Sequence, residues 1–463
     1  MVMSLLPTPT ESPAGSRRAV VLLALLAGAA TVAYVQRQCL GTVEKQIRES
    51  LGLSFSEMGS VQASFFLTYA LLQIPAGWGA ERWGLRRSLL GMGLAWSAAC
   101  ALISQVQGTS GLVALRLLMG GAQAGIFTCT TLAVREYFAP HRFGLANGVI
   151  AGSMQVGGFL GAMFAGWVTA QMGWRGMFLV LSLPGFVWAI LFWTWFPRPA
   201  NPRDPSAPNP VESVPQPHRV AGATPPITAD TWWILVCSWP LWCLSLQQFL
   251  RAGAQMFFGS WFSTYLQEAR GIELSQAGFL NGLPIATAAL GPLAGGWASD
   301  RLQVWTGNRR ISRQWLACGC LLLCAALMFA GYRVVSPRWA VGLFGLGAFF
   351  AAAAGPAAYT STMDLGGARL ALVFAVMNMW GNVGAAAFPK VIGQMLGAAS
   401  RGAAGAASTW DDVFALFILL YVLAALAWLP FNATQPIDFG THPKSSPTPL
   451  GESRSSTESE RDS

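Results

Sequence analysis

Apolar residues in this chain gather in long stretches, broken by short polar connections. Twelve stretches stand out, near 19–41, 58–80, 87–106, 111–136, 143–171, 175–196, 241–267, 275–299, 312–332, 338–362, 369–397 and 411–431. Most reach about 20 residues, the length a helix needs to cross the hydrocarbon of a bilayer. Lipid offers the backbone no hydrogen-bond partner, so each crossing is expected to be a helix. The pattern therefore predicts an all-α polytopic membrane protein with twelve transmembrane helices.

The polar segments set the organisation. A Pro-rich, charged segment at 197–231 cannot pack a core and reads as a flexible linker. It separates an N-terminal half, 19–196, from a C-terminal half, 232–431. A short tail, 1–18, precedes them. A tail at 432–463, rich in Ser, Thr, Pro and Glu, is expected to be disordered. The two halves carry a repeat. Ser56, Gly59, Gly77, Trp78, Glu81 and Arg82 recur as Ser275, Gly278, Gly296, Trp297, Asp300 and Arg301, all offset by 219 residues. Six matches at one offset point to duplication, and so to two six-helix, pseudo-symmetric halves.

Composition sharpens this. Hydrophobic residues make up 53% of the chain and charged ones 11%, too few charges to cover a water-facing surface of this size. The net charge of +9 suits basic loops better than nucleic acid, which is not expected as a partner. Fifteen Lys and Arg fall in the N-terminal tail and the loops on its side. Seven fall opposite, namely Lys45, Arg48, Arg175, Arg270, Arg333, Arg338 and Arg401. Both termini are therefore expected in the cytoplasm, with the chain in a bacterial inner membrane. Arg17 and Arg18 precede an apolar run with no small-residue cleavage site after it, so that run reads as the first span. The eight cysteines lie in or beside apolar segments, and His141, His218 and His442 lie in loops or tails. Neither set makes a metal or catalytic centre, so no cofactor, metal or enzymatic activity is expected.

The segment GWGAERWGLRR, 77–87, resembles the loop signature of the major facilitator superfamily, with Glu81 where that family usually has Asp. The resemblance implies the major facilitator fold. It also implies a conformational latch at the helix ends, formed by Gly77, Glu81, Arg82, Gly84, Arg86 and Arg87 and by the repeat pair Asp300 and Arg301. A narrower resemblance covers AYVQRQCLG (33–41), SFFLTYALLQIPAGW (64–78), RLLMGGAQAG (116–125), SWFSTYLQEARG (260–271) and FAVMNMWGNVGAAAFPKVIG (374–393). These segments are similar to the anion:cation symporter branch, which includes sugar-acid and vesicular glutamate transporters. The branch places arginines in helices one, four and sometimes seven, which implies Arg37, Arg116 and Arg251 as substrate groups here.

Physical chemistry singles out the same three residues. An arginine inside a bilayer costs about 2.5–3.5 kcal/mol even on the lenient insertion scale, so it faces water or a partner. Its planar fork suits carboxylate or phosphate. Arg251 counts near mid-membrane, whereas Arg37 and Arg116 count toward span ends, where snorkelling is the alternative. Relatives in the branch commonly carry acids where this chain has Gln36 and Gln123, and some carry a His where it has Gln62. Glutamine cannot change charge, so the branch's usual proton relay is expected to be missing. Three arginines without an embedded acid favour a substrate with two or more negative charges. Tyr69 with Gln73, and Asn378 with Asn382, share helix faces and are candidates for substrate hydrogen bonds or for helix packing. Gly144, Gly148, Gly152, Gly157, Gly158 and Gly161 make helix five thin enough for close approach.

The resemblance implies a monomeric secondary transporter that moves a small organic anion by alternating access, with lipid around it and H+ or Na+ as the open choices of coupling ion. A sugar-phosphate or phosphate exchanger is the nearest alternative. A membrane anion sensor that does not transport is the alternative of another class.

Overall fold

The computed structural model describes residues 13–138, 143–196, 229–366, 370–401, 406–430 and 437. The linker expected at 197–231 falls almost wholly outside them, as do the three histidines and most of both tails. The N-terminal half contains α1 (Pro13–Thr42), α2 (Glu44–Leu51), α3 (Phe55–Trp83), α4 (Leu85–Ile103), α5 (Thr109–Gln123), α6 (Ile126–Tyr137) and α7 (Phe143–Trp195). The C-terminal half contains α8 (Ala229–Cys237), α9 (Trp239–Ser260), α10 (Phe262–Glu268), α11 (Leu274–Thr306), α12 (Leu316–Arg333), α13 (Pro337–Ala353), α14 (Gly355–Gly366), α15 (Leu370–Arg401) and α16 (Ala406–Leu426). A six-residue π-helical turn, Arg310–Trp315, leads into α12.

Seven helical stretches among the described residues are long and apolar enough to cross a membrane. One of them, within α7, spans two crossings, because Gly173 takes φ 71° and breaks the helix. The shorter or more polar α3, α4, α9–α10 and α16 complete the twelve expected from the sequence. Large side chains such as Leu293, Ile190 and Leu183 are 58–67% exposed on the outer surface, which is favourable only against lipid. Trp83, Trp195, Trp239, Trp305 and Trp339 are exposed at helix ends, as interfacial anchors would be.

Local chemistry sets the breaks between helices. Ser54 caps α3 in a full capping box with Glu57, which satisfies donors that the first turn would otherwise leave bare. Gly52 closes α2 at φ 64°, and Gly84 turns the chain from α3 into α4 at φ 83°; both values favour glycine. Pro75, Pro184, Pro284, Pro292 and Pro389 lie inside helices, each removing one ladder hydrogen bond.

Within the N-terminal half α1 packs on α7 and α3 on α5; within the C-terminal half α9 packs on α15 and α11 on α13. The halves meet where α3 crosses α15, where α7 crosses α11, and where the end of α1 reaches α9. The face carrying the start of α1 and the α3–α4 turn is termed the terminal face, and the one carrying α2 and α10 the far face. Three inter-half crossings near the far face are made by glycine. A Cβ on Gly59 would lie 2.7 Å from the Pro389 carbonyl oxygen, and one on Gly278 would lie 2.8 Å from that of Ala162. Gly59 and Gly278 are repeat equivalents, so the duplication has copied a close-approach point onto both crossings. The third, Gly41, approaches Gly259.

Candidate functional site

A cavity of about 250 Å³ lies between the halves. It is lined by Tyr34, Arg37 and Gln38 of α1, Gln62 and Phe66 of α3, and Arg116 of α5. Gln155 of α7, Gln255 and Ser260 of α9, and Pro284 and Ile285 of α11 complete much of the wall. Gly41 lies toward its far-face end. A larger crevice of about 970 Å³ opens sideways between Phe164, Trp167 and Phe279. These side chains are 40–57% exposed toward lipid, and the crevice gathers no set of converging charges, so the smaller, central cavity is the candidate site.

Helical periodicity builds the α1 wall. Tyr34, Arg37, Gln38 and Gly41 are three or four apart and so share one face. The Arg37 guanidinium sits among aromatic rings, 4.6 Å from the centre of Phe66, 4.8 Å from Phe65, 5.0 Å from Tyr69 and 5.1 Å from Tyr34. Arg116 is 3% exposed and its guanidinium lies 4.6 Å from the same Phe65 ring. The two cations are therefore no further apart than the sum of their distances to that ring. Each ring contact offsets about 0.5–2 kcal/mol of the cost of holding a cation away from water. No carboxylate lines the cavity among the described residues. Among the described residues, the Arg116 guanidinium makes one side-chain hydrogen bond, 3.8 Å to the Met119 sulfur, and its Nε has no partner. The site is thus a small chamber with net positive charge, held by ring faces rather than by acids.

Arg251 stands apart. It is 6% exposed, donates to Gln248 Oε1 at 2.9 Å and reaches Gln255 Oε1 at 3.5 Å. It is not among the residues lining the chamber; Gln255, one turn along α9, presents that face instead. Of the three arginines implied as substrate groups, Arg37 and Arg116 line the chamber, and Arg251 lies behind Gln255. Gln36 and Gln123 also do not line it. Gln36 is fully buried and donates to the carbonyls of Leu181 and Ser182, while Gln123 donates to the Ala33 carbonyl. Both tie α1 to neighbouring helices. Tyr69 touches Arg37 through its ring. Asn378 donates to Gln73 Oε1 at 3.3 Å across the halves, and Asn382 donates to the Asn378 carbonyl. Neither asparagine lines the chamber.

The sequence reading did not single out the glutamine ring of the chamber as substrate groups: Gln38, Gln155, Gln255 and also Gln62. Gln38 and Gln62 donate to the Phe258 and Ser260 carbonyls across the halves at 3.4 Å, and the Gln62 Oε1 is buried without a partner. The usable signal was spacing, since Gln255 follows Arg251 by four residues and Gln38 adjoins Arg37.

At the terminal face Gly84 supplies the turn. Arg86 lies over the Trp193 ring at 4.2 Å and donates to the Trp193 carbonyl, and Arg87 is exposed. The side chain of Glu81 lies outside the described residues, and Gly77 is described only as part of α3. Arg82 and Asp300 are exposed, and Arg301 lies 6.0 Å from the rings of Trp297 and Trp305 on its own helix. Among the described residues, ion pairs on this side join Asp364 to Arg313 and Arg309 within the C-terminal half. An ion pair that crosses the halves is found at the far face, where Arg48 of α2 binds Glu268 of α10. Glu44, which falls in the polar connection between the first two apolar stretches of the sequence, lies on α2 and is fully buried there.

Comparison with known proteins supplies the lineage. The chain is 26% identical over 411 residues to the Probable sulfoacetate transporter SauU of Cupriavidus necator, covering 88% of this chain and 92% of that one. It is 28% identical over 397 residues to the D-galactonate transporter of Escherichia coli, covering 84% and 91%. Its fold matches a bacterial homologue of the human lysosomal transporter Spinster in an inward-facing, unoccupied conformation. That match has a TM-score of 0.72 at 20% identity and covers 91% of this chain and 99% of that one. A D-xylose–proton symporter matches with a TM-score of 0.69 at 13% identity, covering 90% and 98%. The profile of the Major Facilitator Superfamily spans residues 26–389, and this integral membrane chain belongs to that family of transporters.

Proposed function

We propose that the protein is a secondary transporter of a small organic anion, working by alternating access around the chamber of Arg37 and Arg116. One observation carries this reading: two guanidinium groups face a single buried ring, Phe65, in a chamber whose described lining holds no acid. An anion about 4 Å from one guanidinium gains on the order of 4 kcal/mol at an effective dielectric of 20. Two such groups suit a substrate with two negative charges, or a carboxylate whose second acidic or polar end meets Gln155 and Gln255. The transported anions in the relatives' names, sulfoacetate and galactonate, support an organic acid as cargo.

Gln36 and Gln123 bind backbone carbonyls as donors, a role an ionised acid could not fill. This supports a cycle that does not use those two positions as proton carriers. The excess of Lys and Arg on the terminal side supports a cytoplasmic terminal face in a bacterial inner membrane, with the far face outward. Arg82, Arg301 and their acidic neighbours then form the latch of the opposite state, since the far face is the one closed here.

The test is uptake by proteoliposomes holding the purified protein, with labelled organic acid competed by mono-, di- and tricarboxylates and by sulfonates. Preference for a dianion, lost in Arg37→Lys and Arg116→Lys, is expected. Transport of neutral sugars with equal efficiency would overturn the reading.

A further inference from the structure

The far face is closed by a polar cluster that the anion chamber does not use. Glu44 of α2 is fully buried. One of its oxygens accepts from Arg48 Nε at 3.0 Å, and the other accepts from the Thr264 hydroxyl of α10. Arg48 also binds Glu268 of α10, and its guanidinium lies 3.8 Å from the centre of the Phe55 ring. Around this cluster Gln46 donates to Gln267, and Ser263 donates to the Thr42 carbonyl. Each of these last contacts, like those of Glu44 with Thr264 and Arg48 with Glu268, joins one half of the protein to the other. Parting the halves at the far face would break all four.

The charges in this cluster do not balance. Two carboxylates, Glu44 and Glu268, share one guanidinium. The elements packed on α2 are α1, α3 and α10. From α10 the titratable neighbour is Glu268; on α3, Glu57 is engaged with Ser54 and Thr109; the end of α1 contributes only Thr42. Lys45 and Glu49 on α2 act on Glu268 with opposite sign. A buried, surplus negative charge is costly, and neutralisation by a proton is its ordinary resolution.

We propose that Glu44 is a proton-binding residue of the far-face gate: it takes up a proton as the halves close over it and returns that proton to the far-side solution as they part. The proton then does not cross the membrane. It sets how readily the gate shuts, whatever cargo the chamber holds, so the inference stands independently of the organic-anion reading.

Burial raises the Glu44 carboxyl to about 7 from an ordinary 4.5, against the lowering effect of Arg48. Glu268 is raised as well, chiefly by burial. In the open gate both carboxyls meet water and return toward ordinary values. A group whose pKa is higher in the closed state favours that state as pH falls, with the effect growing between about 7 and 4.5. For Glu44 alone, the closed-to-open ratio should rise about 70-fold from pH 8 to pH 5.

Distance measurement by pulsed electron resonance would test this on the full-length protein in nanodiscs. Spin labels go on the exposed positions Ser50→Cys and Ala269→Cys, with the exposed Cys237 changed to Ser. A closed-state distance that gains population on acidification supports the proposal. So does a Glu44→Gln variant that is more closed at pH 8 and responds less to pH, keeping only the smaller response of Glu268. Glu268→Gln gives Arg48 wholly to Glu44 and should move the midpoint to lower pH, which keeps the test alive if Glu44→Gln does not fold. A wild-type distribution unchanged between pH 8 and pH 5, a Glu44→Gln response equal to the wild type's, or an unmoved midpoint in Glu268→Gln would overturn it.

Discussion

Gly41→Ala should prop the far-face gate open. Gly41 is the last-turn residue of α1 that meets α9, and a Cβ built there falls 2.0 Å from the Gly259 carbonyl oxygen and 2.8 Å from its carbon. Ordinary van der Waals contact begins near 3.4 Å, so the two backbones must separate by more than an ångström. The obstructing atoms are backbone, with no rotamer to relieve the clash. Overpacking of this kind costs about 1–3 kcal/mol. Because Gly259 belongs to the other half, that cost falls on the closed state alone. It converts to a shift of about 5- to 150-fold toward the open gate.

The spin-label pair at Ser50 and Ala269 reads this shift directly, as growth of the longer distance. Uptake into proteoliposomes should fall with it, because a cycle that cannot close cannot turn over. Gly148→Ala is the matched control, since a Cβ there meets nothing within 4 Å. If Gly41→Ala keeps the wild-type distance distribution and the wild-type uptake rate, the far-face contact is not a gate. The placement of alternating access at these glycines would then be wrong.

Other predictions follow from single contacts. Arg116→Lys keeps a charge but loses the planar face held by Phe65, and should weaken apparent substrate affinity by about tenfold or more in uptake assays. Phe65→Ala removes the ring that both arginines share and should cost about 3–5 kcal/mol of stability, read as a lower melting temperature in detergent. Gln36→Glu places an acid against the Leu181 and Ser182 carbonyls and should destabilise by about 1–3 kcal/mol without creating proton-driven uptake. Ser54→Ala removes the cap of α3 and should cost about 1 kcal/mol, with chamber affinity unchanged.

The architecture was largely legible in the sequence because lipid imposes its pattern residue by residue. The twelve apolar stretches reappear as crossings, and the 219-residue offset reappears as equivalent gate glycines, Gly59 and Gly278. Arg37 and Arg116 were legible for a related reason: an arginine within a span needs a partner or a cavity. Other features depend on rotation about a helix axis, which the sequence alone does not give. Gln36 and Gln38 are two apart on α1, yet one binds its own half and the other the opposite half and the chamber. Arg251 and Gln255 lie one turn apart, and only Gln255 reaches the chamber. Glu44 looked like a solvated loop residue because polar sequence at a span end usually is one. Its burial is created by α10 folding over it from 220 residues away.

These placements divide the work of the two faces. At the far face the halves touch through glycine backbone at α3–α15, α7–α11 and α1–α9, and through a buried ionic cluster at α2–α10. Backbone contact is short-ranged and unaffected by pH, so it fixes how closely the halves can approach. The cluster responds to solution, since water competes for its charges each time the gate opens. At the terminal face Arg82, Asp300 and Arg301 of the repeated motif are exposed, as the proposed latch for the other state must be while the far face is shut. In the proposed cycle, substrate held between Arg37 and Arg116 acts between two gates of different chemistry. Placing negative charge on those cations removes their mutual repulsion across Phe65, which favours whichever state holds α1, α3 and α5 closest together.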